Sequence, residues 1–419
     1  MPLRTSYRLS VLATTVASVL AAACGDSSGP RLDPSCVATN GAPTTGRPVI
    51  GTTAMRVTGH GTYAARFNAE LSVRGNTAYT STWGTRDGAR GNAIMIWDVS
   101  GPTPVLVDSV IVEPNIAQTG DVAVSDDGSL LVVATEHSPG HIIVYSLADP
   151  RAPSELSRFT TTGGGGVHTA EIGRVDGKLY AVLAANAGAS RPSRVVIVDL
   201  SVPTSPQEVF SADLSPGFMH DALLRDGLLF LARWDEGLAI WDVGGGGRGG
   251  SPSNPVPISC IGTVSGSVHN AWWFRDPAAI SSRYVFVGEE NAASLFTFSS
   301  GDIHVVDISD IDNPREVAFY GVEGAGTHNF WMDEARGVLY AAYYNGGVRA
   351  LDVRGDLGTC TATQRAPDGR CDLGLMGREL ATGLTGGQAV SIWSVQYSGG
   401  FVYASDMLGG LWKLEPVAP

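Results

Sequence analysis

Four consecutive copies of one repeated unit open on a histidine: Val167-His168-Thr169-Ala170, Met219-His220-Asp221-Ala222, Val268-His269-Asn270-Ala271 and Thr327-His328-Asn329-Phe330. Neutral imidazoles suit zinc, copper and iron. Several of them brought together by a repeat can converge on one ion. For that to happen the repeat must close on itself, so the elements around each histidine decide whether the chemistry is available.

Each histidine is followed by a hydrophobic strand, a short turn, a second strand of the type Leu-Tyr-x-Ala and a third strand ending in Asp, at a period of roughly fifty residues. The third strands align best: Ile94–Val99, Ile142–Leu147, Val195–Leu200, Leu238–Val243 and Ile303–Ile308, with weaker copies at Val348–Val353 and Leu411–Glu415. Pro-containing turns such as Asp149-Pro150, Val202-Pro203 and Asn313-Pro314 lead into a fourth strand. Four strands per unit is the content of a propeller blade. The expected fold is all-β, a seven-bladed β-propeller over residues 48–419. The seventh blade, Trp393 to Glu415, stops after three strands, and Val49 to Val57 is expected to supply the fourth, leaving no open sheet edge.

Aligning the blades places one residue of each first strand around one mouth of the central channel. The expected ring is Asn68 or Ala69, Asp121, His168, His220, His269, His328 and Trp393. Second strands return to the same mouth, which brings Trp83, Glu136 with His137, Asn186, Trp234 with Asp235, Glu289 with Glu290, Tyr343 with Asn345, and Asp406 around it. A concave mouth with imidazoles inside and carboxylates and aromatics outside is a candidate ligand site. The candidate metal set is His168, His220, His269, His328 and Asp121, with Asp121 or Glu289 orienting an imidazole or completing the shell. The competing reading gives each histidine a structural task, a hydrogen bond to its blade-connecting loop, which duplication would copy into every blade. His304 reads as a strand residue facing a blade surface, His60 as lying between strands, and His137 and His141 as flanking a hairpin.

The strands typified by Val195-Val196-Ile197-Val198-Asp199, with the His-Asn and His-Asp pairs at the blade starts, resemble the LVIVD-repeat family of bacterial propellers over residues 64 to 415. That resemblance implies a propeller and, as in other exported members, a membrane anchor. It implies no particular activity.

The 419 residues carry a net charge of −13, which repels a phosphate backbone and excludes nucleic acid as a partner. Glycine-rich runs 163–166 and 244–250 lack the strand–turn–helix setting of a phosphate cradle. No nucleophile elbow of the Gly-x-Ser-x-Gly type occurs. Residues 1–23 read as a signal peptide, with Arg4 and Arg8 before the apolar Val11–Ala23. The sequence Leu20-Ala21-Ala22-Ala23-Cys24 resembles a lipobox, in which Cys24 would be lipidated; ordinary cleavage with release is the alternative. Residues 24–47, rich in Ser, Pro, Gly and Thr, read as a flexible tether. Four other cysteines in an exported chain allow three pairings. The short loop favours Cys360 with Cys371, leaving Cys36 for Cys260, with free thiols as the alternative.

Two functions follow. The first is a monomeric binding or scaffold module, lipid-anchored to the bacterial envelope, whose mouth (Glu136, Trp234, Asp235, Glu289, Tyr343, Trp393, Asp406) engages a protein, glycan or small ligand. The second is a metal-dependent enzyme, a hydrolase using zinc or an oxidase using copper or iron, at the histidine-lined mouth.

Overall fold

Third strands such as Val195-Val196-Ile197-Val198 are apolar without alternation because both of their faces are covered. Val195 and Ile197 pack with Leu229, Leu231 and Trp241 of the following sheet, while Val196 and Val198 pack with Val132, Ile142 and Val144 of the preceding one. Period-two alternation therefore divides each strand between two neighbours. Each fully buried Val or Ile contributes about 1.5–3 kcal/mol, so sheet stacks on sheet around the ring.

The structure, a computed structural model, describes Cys36 and residues 53–161, 164–188, 190–214, 217–278, 282–294, 298–385 and 389–419. Seven antiparallel sheets follow one another along the chain as the seven blades of a propeller. Their innermost strands are Asn68–Arg74, Thr119–Val124, Val167–Val175, Asp221–Arg225, Val268–Trp273, Phe330–Asp333 and Ile392–Ser398. The one helical element among the described residues is a 3-10 turn at Ala362–Gln364.

Closure differs from expectation in its boundaries. The strand that completes blade seven is Val57–Thr62, antiparallel to Gly410–Leu414. Of the segment Val49 to Val57, Thr53–Ala54 instead pairs in parallel with Glu379–Gly383 on blade six. The sequence Gly59-His60-Gly61 reads as a loop, but its glycines serve close packing. A Cβ on Gly59 or Gly61 would collide with the backbone at Pro102–Thr103 or Pro104 of blade one. His60 lies within the closing strand, stacked on Trp412 at 3.5 Å between ring centroids.

Polar side chains join blades seven and one beside this strand. The Gln396 carboxamide accepts from Val73 N at 2.6 Å and donates to Val73 O at 3.1 Å, imitating a strand partner. The Lys413 ammonium donates to the carbonyls of Val99 and Gly101 at 2.8 and 2.7 Å.

Cys360 is bonded to Cys371 and Cys36 to Cys260. The first bridge lies in an insertion whose Cys371–Asp372 adds a parallel strand to Arg315–Tyr320 at the outer edge of blade five. The second ties Cys36 to Val256–Ile261, the outer strand of blade four. The expected signal peptide, Cys24 and the tether at 24–47, apart from Cys36, lie outside the described residues, as do Val49 to Thr52.

Deleting Val57–Thr62 exposes the edge of Gly410–Leu414. The expected result is aggregation and loss of a cooperative thermal transition, read by size-exclusion chromatography and calorimetry. A monomeric deletion variant with an unchanged melting temperature would contradict the closure.

Candidate functional site at the channel mouth

Five of the seven innermost strands share a local irregularity. The pairing register shifts between Asn68 and Leu71, Val167 and Ala170, Val268 and Asn270, and Ile392 and Ser394, and at the matching place opposite Thr119–Val122. A bulge re-aims side chains, and here two consecutive residues acquire separate tasks. The first forms a ring: Ala69, Gly120, His168, His220, His269, His328 and Trp393. The second forms another: Glu70, Asp121, Thr169, Asp221, Asn270, Asn329 and Ser394.

The second ring joins the blades. Thr169 Oγ1 donates to His220 O at 2.8 Å, Asn270 Nδ2 donates to His328 O at 3.1 Å, and Asp121 Oδ2 accepts from Ala170 N at 3.1 Å. Asn329 Nδ2 donates to Glu70, which also accepts from Trp393 Nε1 at 2.6 Å. The structural task considered for the histidines is carried mainly by the residues that follow them.

The histidines form a continuous row of edge-on and tilted ring contacts. Ring centroids of His168 and His220 lie 4.2 Å apart, His220 and His269 3.9 Å, His269 and His328 4.0 Å, and His328 and Trp393 4.4 Å. His328 Nδ1 meets the Trp393 carbonyl at 2.6 Å. His168 lies between Glu136, 3.0 Å from its Nδ1, and His220, whose Nε2 is 2.8 Å from its own. His220 Nδ1 and both nitrogens of His269 are buried without a hydrogen-bond partner. Glu290 Oε2 lies 3.9 Å from His220 Nε2 and 3.7 Å from His269 Nε2. Donor atoms of His220, His269 and Glu290 all fall within 4.8 Å of one another. Tyr344 donates its hydroxyl to the other oxygen of Glu290 at 2.5 Å.

Electrostatics follow from this enclosure. Burial holds His220 and His269 well below the ordinary imidazole range, reinforced by neighbouring histidines. Burial lowers His328 to about 3. Burial opposes protonation of His168 too, but the charge and hydrogen bond of Glu136 outweigh it and raise its pKa. The interior imidazoles are therefore neutral lone-pair donors near pH 7, the form that binds metals. Below the ring, burial raises Asp121 to about 6 and Asp221 to about 7, helped in Asp221 by the charge of Asp121. Burial also raises Glu70 and Glu171 well above the carboxylate range.

Several expected positions are displaced by one residue. Gly120, not Asp121, holds the ring position of blade two, and Asp121 belongs to the joining ring. Glu290 faces the histidines, whereas Glu289 turns into blade five to meet Thr263, Ser265 and His304 at 2.7, 2.5 and 3.0 Å. Tyr344 reaches the mouth, whereas Tyr343 is buried in the core beside Phe330 and Tyr320. In each case a one-residue shift exchanges the faces of a strand. Asp406 is buried inside blade seven, accepting from Ser391 N, Leu408 N and Trp412 Nε1. Asp235 is exposed, while Trp234 stacks on His220 at 5.2 Å. His304 is buried between Glu289 and Glu316 rather than facing a surface.

Blades one and two carry Ala69 and Gly120 where others carry rings, and that loss opens a cavity of about 240 Å³. Trp83, Glu136, His168, His220 and Trp393 are among its walls. A larger cavity of about 710 Å³ enters from the opposite mouth, past Trp272 and Trp331, to the carboxylates of the joining ring.

The Asn270 amide and the His269 imidazole give opposite expectations. Asn270→Ala removes an inter-blade hydrogen bond and is expected to cost about 1–3 kcal/mol in denaturant unfolding. His269→Leu removes two unsatisfied buried nitrogens and is expected to leave metal-free stability unchanged or raised. Equal losses would return the histidine to a structural role. For Glu171, a raised native pKa means that the folded state holds its proton over a range where the unfolded chain has lost it. The stability contribution therefore falls as pH rises above about 4.3. Glu171→Gln is expected to match wild type at pH 4 and to gain in melting temperature progressively toward pH 8; a pH-independent difference would contradict this.

No known protein-family profile matches the chain, and no curated protein matches it. Among solved structures it is similar to the C-terminal WD40 domain of Sif2, at 14% identity and a TM-score of 0.51, over 84% of this chain and 82% of that one. At that identity the likeness concerns fold alone: the chain is a WD40-like β-propeller.

Proposed function

We propose that this propeller is a binding module whose channel mouth holds a transition-metal ion, zinc, copper or iron, through His220, His269 and Glu290. One observation carries the reading: donor atoms of two buried neutral imidazoles and one carboxylate converge within 4.8 Å, and neither nitrogen of His269 has a hydrogen-bond partner. Leaving such groups buried without partners costs free energy, and a bound cation removes that cost. His168 completes or orients the set, since Glu136 fixes its Nδ1 as carboxylates fix metal-bound histidines. His328, engaged with the Trp393 carbonyl, and Asp121 are left out of the first set of ligands. A set of two histidines and one carboxylate is also that of catalytic zinc and non-haem iron sites, which keep a position open. The 240 Å³ cavity beside His220 supports a metal-dependent hydrolase or oxidase as the second reading.

The N-terminal sequence supports an exported lipoprotein anchored through Cys24 to the bacterial envelope, and the repeated third strands support the LVIVD-type likeness; we take the domain to be monomeric. Two disulfides fit an oxidising compartment. Radiolabelled palmitate incorporation that disappears in Cys24→Ala tests the anchor.

Elemental analysis and calorimetric titration of the mature domain test the metal. One equivalent of zinc, copper or iron is expected. His220→Ala, His269→Ala or Glu290→Gln should abolish uptake, and Glu136→Gln should weaken it by roughly 10–100-fold. A wild-type domain that takes up none of the three metals overturns the reading.

A further inference from the structure

The cavity opened by Ala69 and Gly120 has a chemistry of its own. Trp83 and Trp393 line it, with ring centroids 5.6 Å apart. Their indole N–H groups are already engaged, Trp83 with Glu136 at 2.9 Å and Trp393 with Glu70 at 2.6 Å. What the indoles have left to offer a ligand is their π faces. Glu70, Asp121, Glu136 and Glu290 also line the cavity, and no Lys or Arg does. His220, 7% exposed and with Nδ1 unpartnered, forms part of the wall. The size of the cavity is built in: a Cβ on Gly120 would collide with the His168 carbonyl, so the notch in the ring follows from backbone packing.

Indole faces attract cations through the ring quadrupole, more strongly where water is excluded. The Glu136 carboxylate, which also holds His168, adds to the attraction, and Glu70, kept well above the carboxylate range by burial, adds a neutral acceptor. Among the described residues, the one set that converges tightly enough for a bare metal ion is His220, His269 and Glu290. Glu70, Asp121 and Glu136 belong to no such set and suit a larger cation.

We propose that the notch between Trp83, Trp393 and Glu136 binds a small organic ammonium ion. The inference depends on the mouth being a binding site; the notch adjoins the proposed metal set, sharing His220 and Glu290 with it, but its own contacts come from Trp83, Trp393 and Glu136.

Choline, its neutral isostere 3,3-dimethylbutan-1-ol and the anion trimethylacetate test it by calorimetric titration of the mature domain, chelator-treated and metal-loaded. Choline is expected to bind both forms, the neutral isostere at least about tenfold more weakly, and the anion not at all. Trp83→Leu and Glu136→Gln should each weaken choline by about tenfold or more, whereas Trp272→Leu, at the opposite mouth, should not. Equal binding of the isostere, preference for the anion, no choline binding, or equal losses in Trp83→Leu and Trp272→Leu would overturn the proposal. A domain that binds choline but no metal fails the metal reading alone, and one that binds metal but not choline fails this one alone.

Discussion

Ring closure is the constraint on which everything else depends. Seven stacked sheets bury both faces of their inner strands only if the last sheet meets the first, and that meeting is made by Val57–Thr62 on Gly410–Leu414. Val73, Gln396, Lys413 and the carbonyls of Val99 and Gly101 reinforce it with hydrogen bonds. Because the ring is closed, one strand position from each blade is delivered to a common axis. The mouth is therefore a product of the whole chain, and no single blade contains it.

At that axis the fold separates two jobs that sequence repetition runs together. The bulge in the inner strands places one residue toward the mouth and the next between blades. Thr169, Asn270 and Asp121 carry the joining hydrogen bonds, which frees the preceding positions to vary. They have varied to His, Trp, Ala and Gly. Four imidazoles on one side and a notch on the other are what that freedom produces, and the asymmetry leaves a cavity at the mouth where seven large side chains would close it.

The blade number and the gathering of the four histidines at one mouth were legible in the sequence because continuous apolar third strands recur with the same ending. What escaped was register. Asp121, Glu289 and Tyr343 each stand one residue from the position that reaches the mouth, and a period of two makes one residue the difference between channel and core. The bulge that causes the shift leaves no mark in composition. The closing strand was missed in part for a related reason: Gly59 and Gly61 read as loop formers, while in the fold they admit the backbone of blade one. His304 escaped because its partners, Glu289 and Glu316, come from different strands.

The bond between Cys36 and Cys260 has a mechanical meaning. It fastens the N-terminal segment to the outer strand of blade four, whereas the seam that holds the ring shut lies between blades seven and one. A pull on the chain ahead of Cys36 enters the molecule through blade four, along a covalent path. Val57–Thr62, which follows in sequence and is held by hydrogen bonds and ring stacking rather than a covalent cross-link, is shielded from that load. The bridge acts as a strain relief, letting the leading end of the chain be tugged without unzipping the strand that closes the propeller.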